Sequence, residues 1–509
     1  QRETAIRAAM GADRRRLARQ FVAEGLVLSA MGAGVGLLLA MWSVDGIAAL
    51  APAALPSFVT PHLAWRVLLF AVTLAAAAGI LLGLLPAWQG SRADLNEVLK
   101  DGGRGSSGGR ERTRLRSGLV VAEVALSLLL LVGAGLMVRS FLNLQLVDIG
   151  FRADRALTMR VALPQKYKSE QVPQAAGELL ARVAAQPGVQ HVAIATDAPL
   201  SGGSSATIVS PEGVDPGTAE RGIRVYRHAI TPGFFNALGV ALTNGRDFDP
   251  HDLVGAPAVA IVSRRFAARA WPSVDPVGRR FTLGQTRNAT PVWVTVVGIA
   301  ADLRYRALTV DTTRNPEDPD IYFPFAQRPD RAVSLIVSTT GDPAALTSPV
   351  REAVQAFDRD IPAYAERTFA SLIAARMAPF RLSAGVMSFF GVVALLLAGI
   401  GVYGLINYSV LQRRQEMGVR IALGAGRRDI YALVLKDAAR LTAGGLVLGI
   451  AAAIPSARLL RTQLYGVTPA DPATYGSIVA LLVGVAVAAT LLPARRAARV
   501  DPIIALRAD

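Results

Sequence analysis

The sequence predicts a polytopic α-helical membrane protein of about six transmembrane helices, with one large α+β domain outside the bilayer. Three observations lead there: six long apolar runs, a one-sided distribution of arginine, and a long middle segment without any such run. Hydrophobic residues make up 52% of the 509 residues, charged residues only 18%, and the mean hydropathy is +0.38. A water-soluble chain needs more polar surface than this.

A span needs roughly 20 mostly apolar residues, because a hydrocarbon layer of about 30 Å is crossed at about 1.5 Å per residue. Six segments qualify: Phe21–Met41, Leu63–Leu85, Gly118–Leu142, Leu382–Val410, Leu433–Ile454 and Thr474–Leu492. Arginine sets their direction, since cytoplasmic flanks are enriched in Lys and Arg. Arg2, Arg7, Arg14, Arg15, Arg16 and Arg19 precede the first run, and Arg92, Lys100, Arg104, Arg110, Arg112, Arg114 and Arg116 lie between the second and third. Arg413, Arg414, Arg420, Arg427 and Arg428 follow the fourth, and Arg495, Arg496, Arg499 and Arg507 follow the sixth. The connection 43–62 has neither Lys nor Arg, and the connection after the fifth run has only Arg458 and Arg461. Alternation through six spans puts all four clusters on one side, so both termini are expected in the cytoplasm and residues 143–378 outside it.

The net charge of +16 does not signal nucleic acid. Between Asp148 and Arg376 there are 25 basic and 23 acidic residues, so the surplus sits beside the apolar runs. No basic stripe is interleaved with stacking aromatics, as a nucleic-acid groove requires. Cysteine is absent, which removes disulfides and thiol chemistry from consideration. The chain starts at Gln1, in the middle of a repeated motif, and is expected to lack an N-terminal portion.

Residues 101–117 contain the Gly/Ser-rich stretch Asp101–Gly109 and read as a flexible cytoplasmic linker, followed by a transmembrane helix at 118–142. In the middle domain, period-two patterning predicts strands at Ala156–Leu163, Val189–Thr196, Ala258–Val262, Val292–Ile299 and Val333–Ser338. Helices are expected at Ser169–Ala185, Ser263–Trp271 and Pro343–Phe357, and the Gly/Ser/Pro-rich stretch Ser201–Gly217 reads as a loop or a connection between subdomains. This length suffices for two small lobes. His62, His191, His228 and His251 are scattered without metal-ligand spacing, and no nucleophile–base set stands out. The carboxylates of Arg246–Asp249 and Asp318–Asp320 read as solvated turns, with calcium binding as the alternative.

The chain repeats itself. Glu3–Ala12 (ETAIRAAMGA) matches Glu416–Ala425 (EMGVRIALGA) at an offset of 413, continuing through Arg14-Arg15 against Arg427-Arg428 and Gly32 and Gly36 against Gly445 and Gly449. Leu85-Pro86-Ala87 matches Leu492-Pro493-Ala494 at an offset of 407, with Arg92, Asp94 and Leu99 against Arg499, Asp501 and Leu506. Duplication of a permease unit, at 1–100 and 379–509, is the economical reading. Small residues four apart let helix backbones approach, so Gly32, Gly36, Gly445 and Gly449 are candidate helix-packing positions.

These motifs resemble those of the MacB/FtsX-like permeases of bacterial ABC transporters. Glu416 to Arg428 and Leu492 to Arg507 have the family pattern closely, and Glu3 to Arg15 with Leu85 to Leu99 more loosely. Pro232-Gly233-Phe234-Phe235, Val262–Ala267, Trp271-Pro272 and Asp275–Arg280 resemble the MacB-type periplasmic core. A duplicated permease without a fused ATPase resembles the acidobacterial-type duplicated permeases. The resemblance implies that the segments of Glu416, Arg420, Gly424 and Arg427, and of Glu3, Arg7 and Gly11, couple to an ATPase. Taken alone, Gln412–Ala425 is a short amphipathic segment able to lie on the cytoplasmic face, anchored by its arginines, and Glu416 and Arg420 are spaced to pair on one helical face.

No G-x-x-x-x-G-K-[ST] loop occurs; Lys100, Lys166, Lys168 and Lys436 are the only lysines and none follows a glycine. No cofactor is therefore expected on this chain, with ATP and Mg on a partner subunit. Expected partners are membrane lipid, an ABC ATPase subunit, a periplasmic or envelope protein, and a second copy of the chain. The leading expectation is a non-enzymatic permease subunit in a bacterial inner membrane that couples ATP hydrolysis elsewhere to movement of its outside domain, for export or extraction of an amphipathic substrate. The alternative is a sensor or scaffold that regulates envelope enzymes without translocation. Glu123, inside the third run, is a structural carboxylate or a functional one.

Overall fold

A computed structural model describes residues 14–50, 64–91, 107–203, 205–213, 222–283, 292–308 and 318–499. The chain divides into two compact units, one made of residues 1–138 and 378–509, the other of Arg139–Met377.

The first unit is helical. Helices α1 (Arg14–Leu50) and α2 (Trp65–Ser91) are followed by α3 (Ser107–Gln145). Among the described residues, five helices are long and apolar enough to cross a membrane. The sixth expected crossing, Leu63–Leu85, coincides over the described residues with α2, whose apolar stretch there is the shorter Trp65–Leu81. Helix α3 begins at Ser107, inside the stretch expected to be a linker, because the run Arg110–Arg116 contains no residue that stops a helix. Helices α1 and α2 meet through glycine: a Cβ on Gly25 would strike the Gly79 carbonyl, and one on Gly83 would lie 2.5 Å from the Val22 Cα.

The second unit is the α+β domain. After β1 (Ala156–Ala162) come α4 (Val172–Ala184), β2 (Val189–Ala195), β3 (Ser205–Pro211) and β4 (Ile223–Ile230). Then follow α5 (Phe234–Leu238), β5 (Leu242–Gly245), β6 (Val259–Ser263), α6 (Arg264–Ala270), β7 (Arg280–Leu283) and β8 (Trp293–Ala300). Strands β9 (Asp320–Pro324) and β10 (Ala332–Thr339), helix α7 (Thr347–Phe357) and strand β11 (Ala363–Thr368) complete it.

Two lobes form. The first is an antiparallel sheet in the order β11-β1-β10-β2. Alternate residues Leu157, Met159 and Val161 of β1 and Val333, Leu335 and Val337 of β10 share one core with the apolar stripes of α4 and α7. The second lobe is a closed ring in the order β4-β3-β7-β8-β6-β9, with β9 returning to pair in parallel with β4. Its interior holds Val225, Val262, Phe266, Phe281, Val294, Val296, Ile321 and Phe323. Closure removes the exposed strand edges that an open sheet of this size would leave. A single ladder pair, Ala195 with Ile230, joins β2 of the sheet to β4 of the ring. The expected loop Ser201–Gly217 instead contains β3: the β-branched run Thr207-Ile208-Val209 finds partners on β4, and the flanking glycines and serines do not prevent it.

The remaining helices are α8 (Phe369–Gln412), α9 (Arg414–Ala422), α10 (Arg427–Leu459) and α11 (Pro472–Ala497). Val120 and Val124 of α3 share one apolar cluster with Val402 and Ile406 of α8, Val434 of α10 and Ala494 of α11. Leu128, Val132 and Leu136 of α3 share another with Ala453, Ala457, Ile478 and Leu482. Close approach is again at glycine, where a Cβ on Gly445 would lie 2.6 Å from that of Val124 and one on Gly449 would lie 3.0 Å from the Ala125 carbonyl. Gly445→Ala is therefore expected to destabilise the solubilised chain by about 1–3 kcal/mol, as overpacking does. Gly404→Ala, whose Cβ meets nothing within 4 Å, leaves the unfolding midpoint unchanged; thermal unfolding in detergent checks both.

Candidate functional site

Helix α9 is a nine-residue segment between two long apolar helices, α8 and α10. Two glycines shape its exit. Gly424 has φ +96°, a left-handed conformation that costs other residues steric strain, and its N–H donates to the Ile421 carbonyl at 3.0 Å. Gly426 precedes α10, and its N–H donates to Asp429 at 2.9 Å, so the first turn of α10 is capped by its own acid.

The four apolar residues of this segment do not share a face. Met417 is 2% exposed, and Ile421, one turn on, packs partly against the cluster formed by Val410, Ile430 and Val434. Val419 and Leu423 form the opposite pair and are 43% and 82% exposed. One side of α9 is thus seated on its own chain while the other offers apolar surface outward.

Charges fix the seat. Arg413 donates through Nε and Nη2 to both carboxylate oxygens of Glu416, at 2.7 and 3.0 Å, and through Nη1 to Asp437 of α10 at 2.9 Å. Arg420 donates to Glu416 at 2.8 Å, as the four-residue spacing predicts. The Arg413 guanidinium holds the Glu416 carboxyl below its ordinary range, with Arg420 adding to the effect. A bidentate fork is a more rigid tie than a single ammonium would give. Arg413 and Asp437 stand 24 residues apart, so no spacing rule pairs them.

The other expected site residues fall as follows. Arg427 begins α10 and is exposed. Glu3, Arg7 and Gly11 lie outside the described residues. Gly445 and Gly449 face α3 at close range, whereas a Cβ on Gly32 or Gly36 meets nothing within 4 Å. The matching spacing in α1 is thus not where that helix meets α2, which is at Gly25. Glu123 lies against the backbone of Gly401, close enough that a Cβ there would overlap its carboxylate. Arg116, two turns before Glu123 on α3, sits over the Tyr408 ring at 4.2 Å.

The FtsX-like permease C-terminal model matches residues 1–95 and 388–502, and the MacB-like periplasmic core domain model matches residues 117–357. The chain belongs to the MacB/FtsX-like permeases of ABC transporters. Among curated relatives, the macrolide export ATP-binding/permease protein MacB 2 of Aeromonas hydrophila subsp. hydrophila is 26% identical over 330 residues, covering 58% of this chain and 46% of that protein. The uncharacterized ABC transporter permease YknZ of Bacillus subtilis is 25% identical over 293 residues, covering 55% of this chain and 69% of that one. The chain thus spans less than half the length of the ATP-binding/permease relative. The crystal structure of the periplasmic region of MacB from Actinobacillus actinomycetemcomitans aligns with TM-score 0.29 at 13% identity, covering 44% of this chain and 92% of that one. The family assignment rests on the sequence matches.

Within this MacB-type periplasmic core, one charged cluster escaped the sequence reading. His228 of β4 is buried, its Nδ1 2.9 Å from Asp197 and its Nε2 3.0 Å from Asp320. Both nitrogens face carboxylate acceptors, so both must donate, which only the imidazolium can do. Burial works against that charge, but the hydrogen bonds to Asp197 and Asp320 outweigh it, and the pKa is pushed from 6.5 up to about 9. A metal site is not formed here: among the described residues no group of three His, Cys, Asp or Glu side chains is placed to hold an ion.

Two outcomes follow for this MacB/FtsX-like permease. Because the folded pKa of His228 is raised, its stabilisation is complete below about pH 6.5 and is lost as pH rises through about 9; His228→Gln removes that decline, measured as urea unfolding of the full chain from pH 6 to 10. Arg413→Ala frees α9 from α10, which limited proteolysis detects as faster cleavage after Arg420, while Leu423→Asp leaves the cleavage rate as it is.

Proposed function

We propose that this chain is the permease subunit of an ABC-type transporter whose ATP is hydrolysed, with Mg, on a separate subunit. In this reading both termini and α9 lie in the cytoplasm of a bacterial cell, and residues 143–378 lie outside the inner membrane. The two FtsX-type segments are copies of one permease unit, as the match of Glu3–Ala12 to Glu416–Ala425 suggests. The nucleotide-binding partner docks on α9, and its motion reaches the periplasmic core, which acts on an amphipathic substrate for export or extraction. No cofactor is assigned to this chain itself.

One observation supports this reading above the others: α9 has a face tied to its own chain and a second, apolar face turned away from it. A segment that only anchored the chain at the interface would need no rigid tie. Arg413 connects Glu416 of α9 to Asp437 of α10, so a force applied to α9 is delivered to a long apolar helix without slack. The face turned away from that seat offers Val419 and Leu423, with the exposed Arg420 beside them, to a partner. Interfaces combine an apolar contact with charged groups that set register, and both are present here. The alternative, a sensor or scaffold acting on envelope enzymes without translocation, predicts an intact complex whose signalling is indifferent to ATP hydrolysis.

Co-expression with a candidate ABC ATPase subunit, followed by affinity capture, tests the docking. Leu423→Asp and Arg420→Glu are each expected to weaken capture about tenfold, equivalent to about 1.4 kcal/mol. Glu416→Arg weakens it further, because it also breaks the tie to Arg413. Capture at the wild-type level in all three variants rejects α9 as the docking element.

A further inference from the structure

The sheet and the ring of the periplasmic core are joined by very little backbone pairing: among the described residues, Ala195 against Ile230 is their one ladder pair. His228 stands two residues from that pair. Asp197, on the segment that follows β2 of the sheet, accepts a hydrogen bond from Nδ1, and Asp320, the first residue of β9 in the ring, accepts one from Nε2. The side chain therefore bridges the two lobes beside their shared ladder pair.

Its surroundings are built to hold a charge. Tyr305 stacks on the imidazole at 3.8 Å between centroids, and its hydroxyl donates to the Asp197 carbonyl at 2.6 Å. Arg306 donates to Asp320 at 2.6 Å and to the Asp318 carbonyl at 2.7 Å, with its guanidinium 3.7 Å from the Tyr226 ring centroid. The titratable and charged groups around the imidazole are thus Asp197 after β2, Asp320 and Tyr322 of β9, and Tyr305 and Arg306 after β8; Phe234 and Phe235 of helix α5 pack on Tyr322. Two carboxylates balance one imidazolium and one guanidinium. Loss of the imidazolium proton leaves a buried acceptor facing a carboxylate and one uncompensated negative charge, which is costly in a low-dielectric interior.

A second grip acts on the same segment. Leu200 is fully buried with φ 62°, unusual for a residue with a side chain. Its N–H donates to the Tyr305 carbonyl at 2.7 Å, and its own carbonyl accepts from Nε and Nη2 of Arg376 at 3.3 and 3.1 Å. Arg376 lies in the second turn of α8, the helix that continues to Gln412. The loop bearing Asp197 is held from one side by His228 and Tyr305 and from the other by α8.

We propose that His228 with Asp197 and Asp320 is a charged latch between the sheet and ring lobes, and that Arg376 connects the start of α8 to that latch through Leu200. Displacement of the first turns of α8 pulls on the loop at Leu200, and the latch decides whether the lobes move together or separate at the Ala195–Ile230 pair. This holds whether or not an ATPase docks on α9, so the test uses the chain alone.

Hydrogen exchange of the full chain in lipid nanodiscs at pH 7 reads the latch directly. Three amides report on the seam: Thr196 donating to Ala229, Thr231 donating to Ile194, and Leu200 donating to Tyr305. In His228→Gln, peptides spanning 194–202 and 226–232 are expected to exchange at least about tenfold faster, since a charge-assisted bridge is lost. Peptides of β8 and β10, in the two lobe cores, keep wild-type protection. In Arg376→Gln the acceleration is confined to 196–202. Wild-type protein taken from pH 7 to pH 10 shows the same pattern as His228→Gln, after correction for intrinsic rates, without any substitution. Wild-type protection of the seam in His228→Gln, or an equal loss across β8 and β10, overturns the latch. Unchanged exchange at 196–202 in Arg376→Gln overturns the connection to α8.

Discussion

Leu28, Trp42, Leu396, Ile400, Val447 and Leu448 are exposed on long helices, and only hydrocarbon can solvate such a surface without a large free-energy cost. In that solvent every backbone polar group must be satisfied within the segment, which is why these stretches are helices and not strands. The constraint reaches further. Lipid gives no hydrophobic drive for one helix to meet another, so contact depends on close packing. Glycine supplies it at Gly25, Gly79 and Gly83 in the first pair, and at Gly445 and Gly449 against α3. It also confines arginine to the ends of the spans, and so produces the charged segments from which α9 is made.

The aqueous parts of the molecule use a different logic. In the periplasmic core two separate apolar cores form, one under the sheet and one inside the ring, and polar chemistry collects where they join. Asp197, His228, Asp320 and Arg306 are buried or nearly so, in a position that could have been filled with apolar residues at less desolvation cost. Charge at that place gives direction to the junction, because it tolerates few geometries. The cluster of Arg413, Glu416, Arg420 and Asp437 does the same at the surface of the helical unit, where partial exposure weakens each pair but the fork of Arg413 keeps the geometry. In both places a small charged cluster ties one part of the fold to another.

How much of this is legible in the residues depends on distance along the chain. The apolar runs need only local composition, and β1 and β10 announce themselves by alternation within eight residues. The pair Glu416–Arg420 is visible for the same reason. By contrast, Arg413 reaches Asp437 only after the chain reverses at Gly424, and His228 meets partners 31 and 92 residues away. No spacing rule connects such positions. Strand β3 was obscured by its glycine and serine neighbours, and β9, five residues ending at Pro324, becomes a strand because β4 and β6 flank it. The apolar residues of α9 show a subtler limit: an alternating run reads as one amphipathic face, yet Met417 and Leu423 turn to opposite sides.

The account rests on which aqueous compartment each charged segment faces, and the absence of cysteine makes this directly measurable. Single cysteines at Ser106, Arg427 and Ser169 in intact cells, probed with a thiol reagent that cannot cross the inner membrane, separate the possibilities. The account predicts labelling at Ser169→Cys only, with Ser106→Cys and Arg427→Cys reacting after lysis. Labelling of Arg427→Cys in intact cells, or protection of Ser169→Cys there, contradicts it.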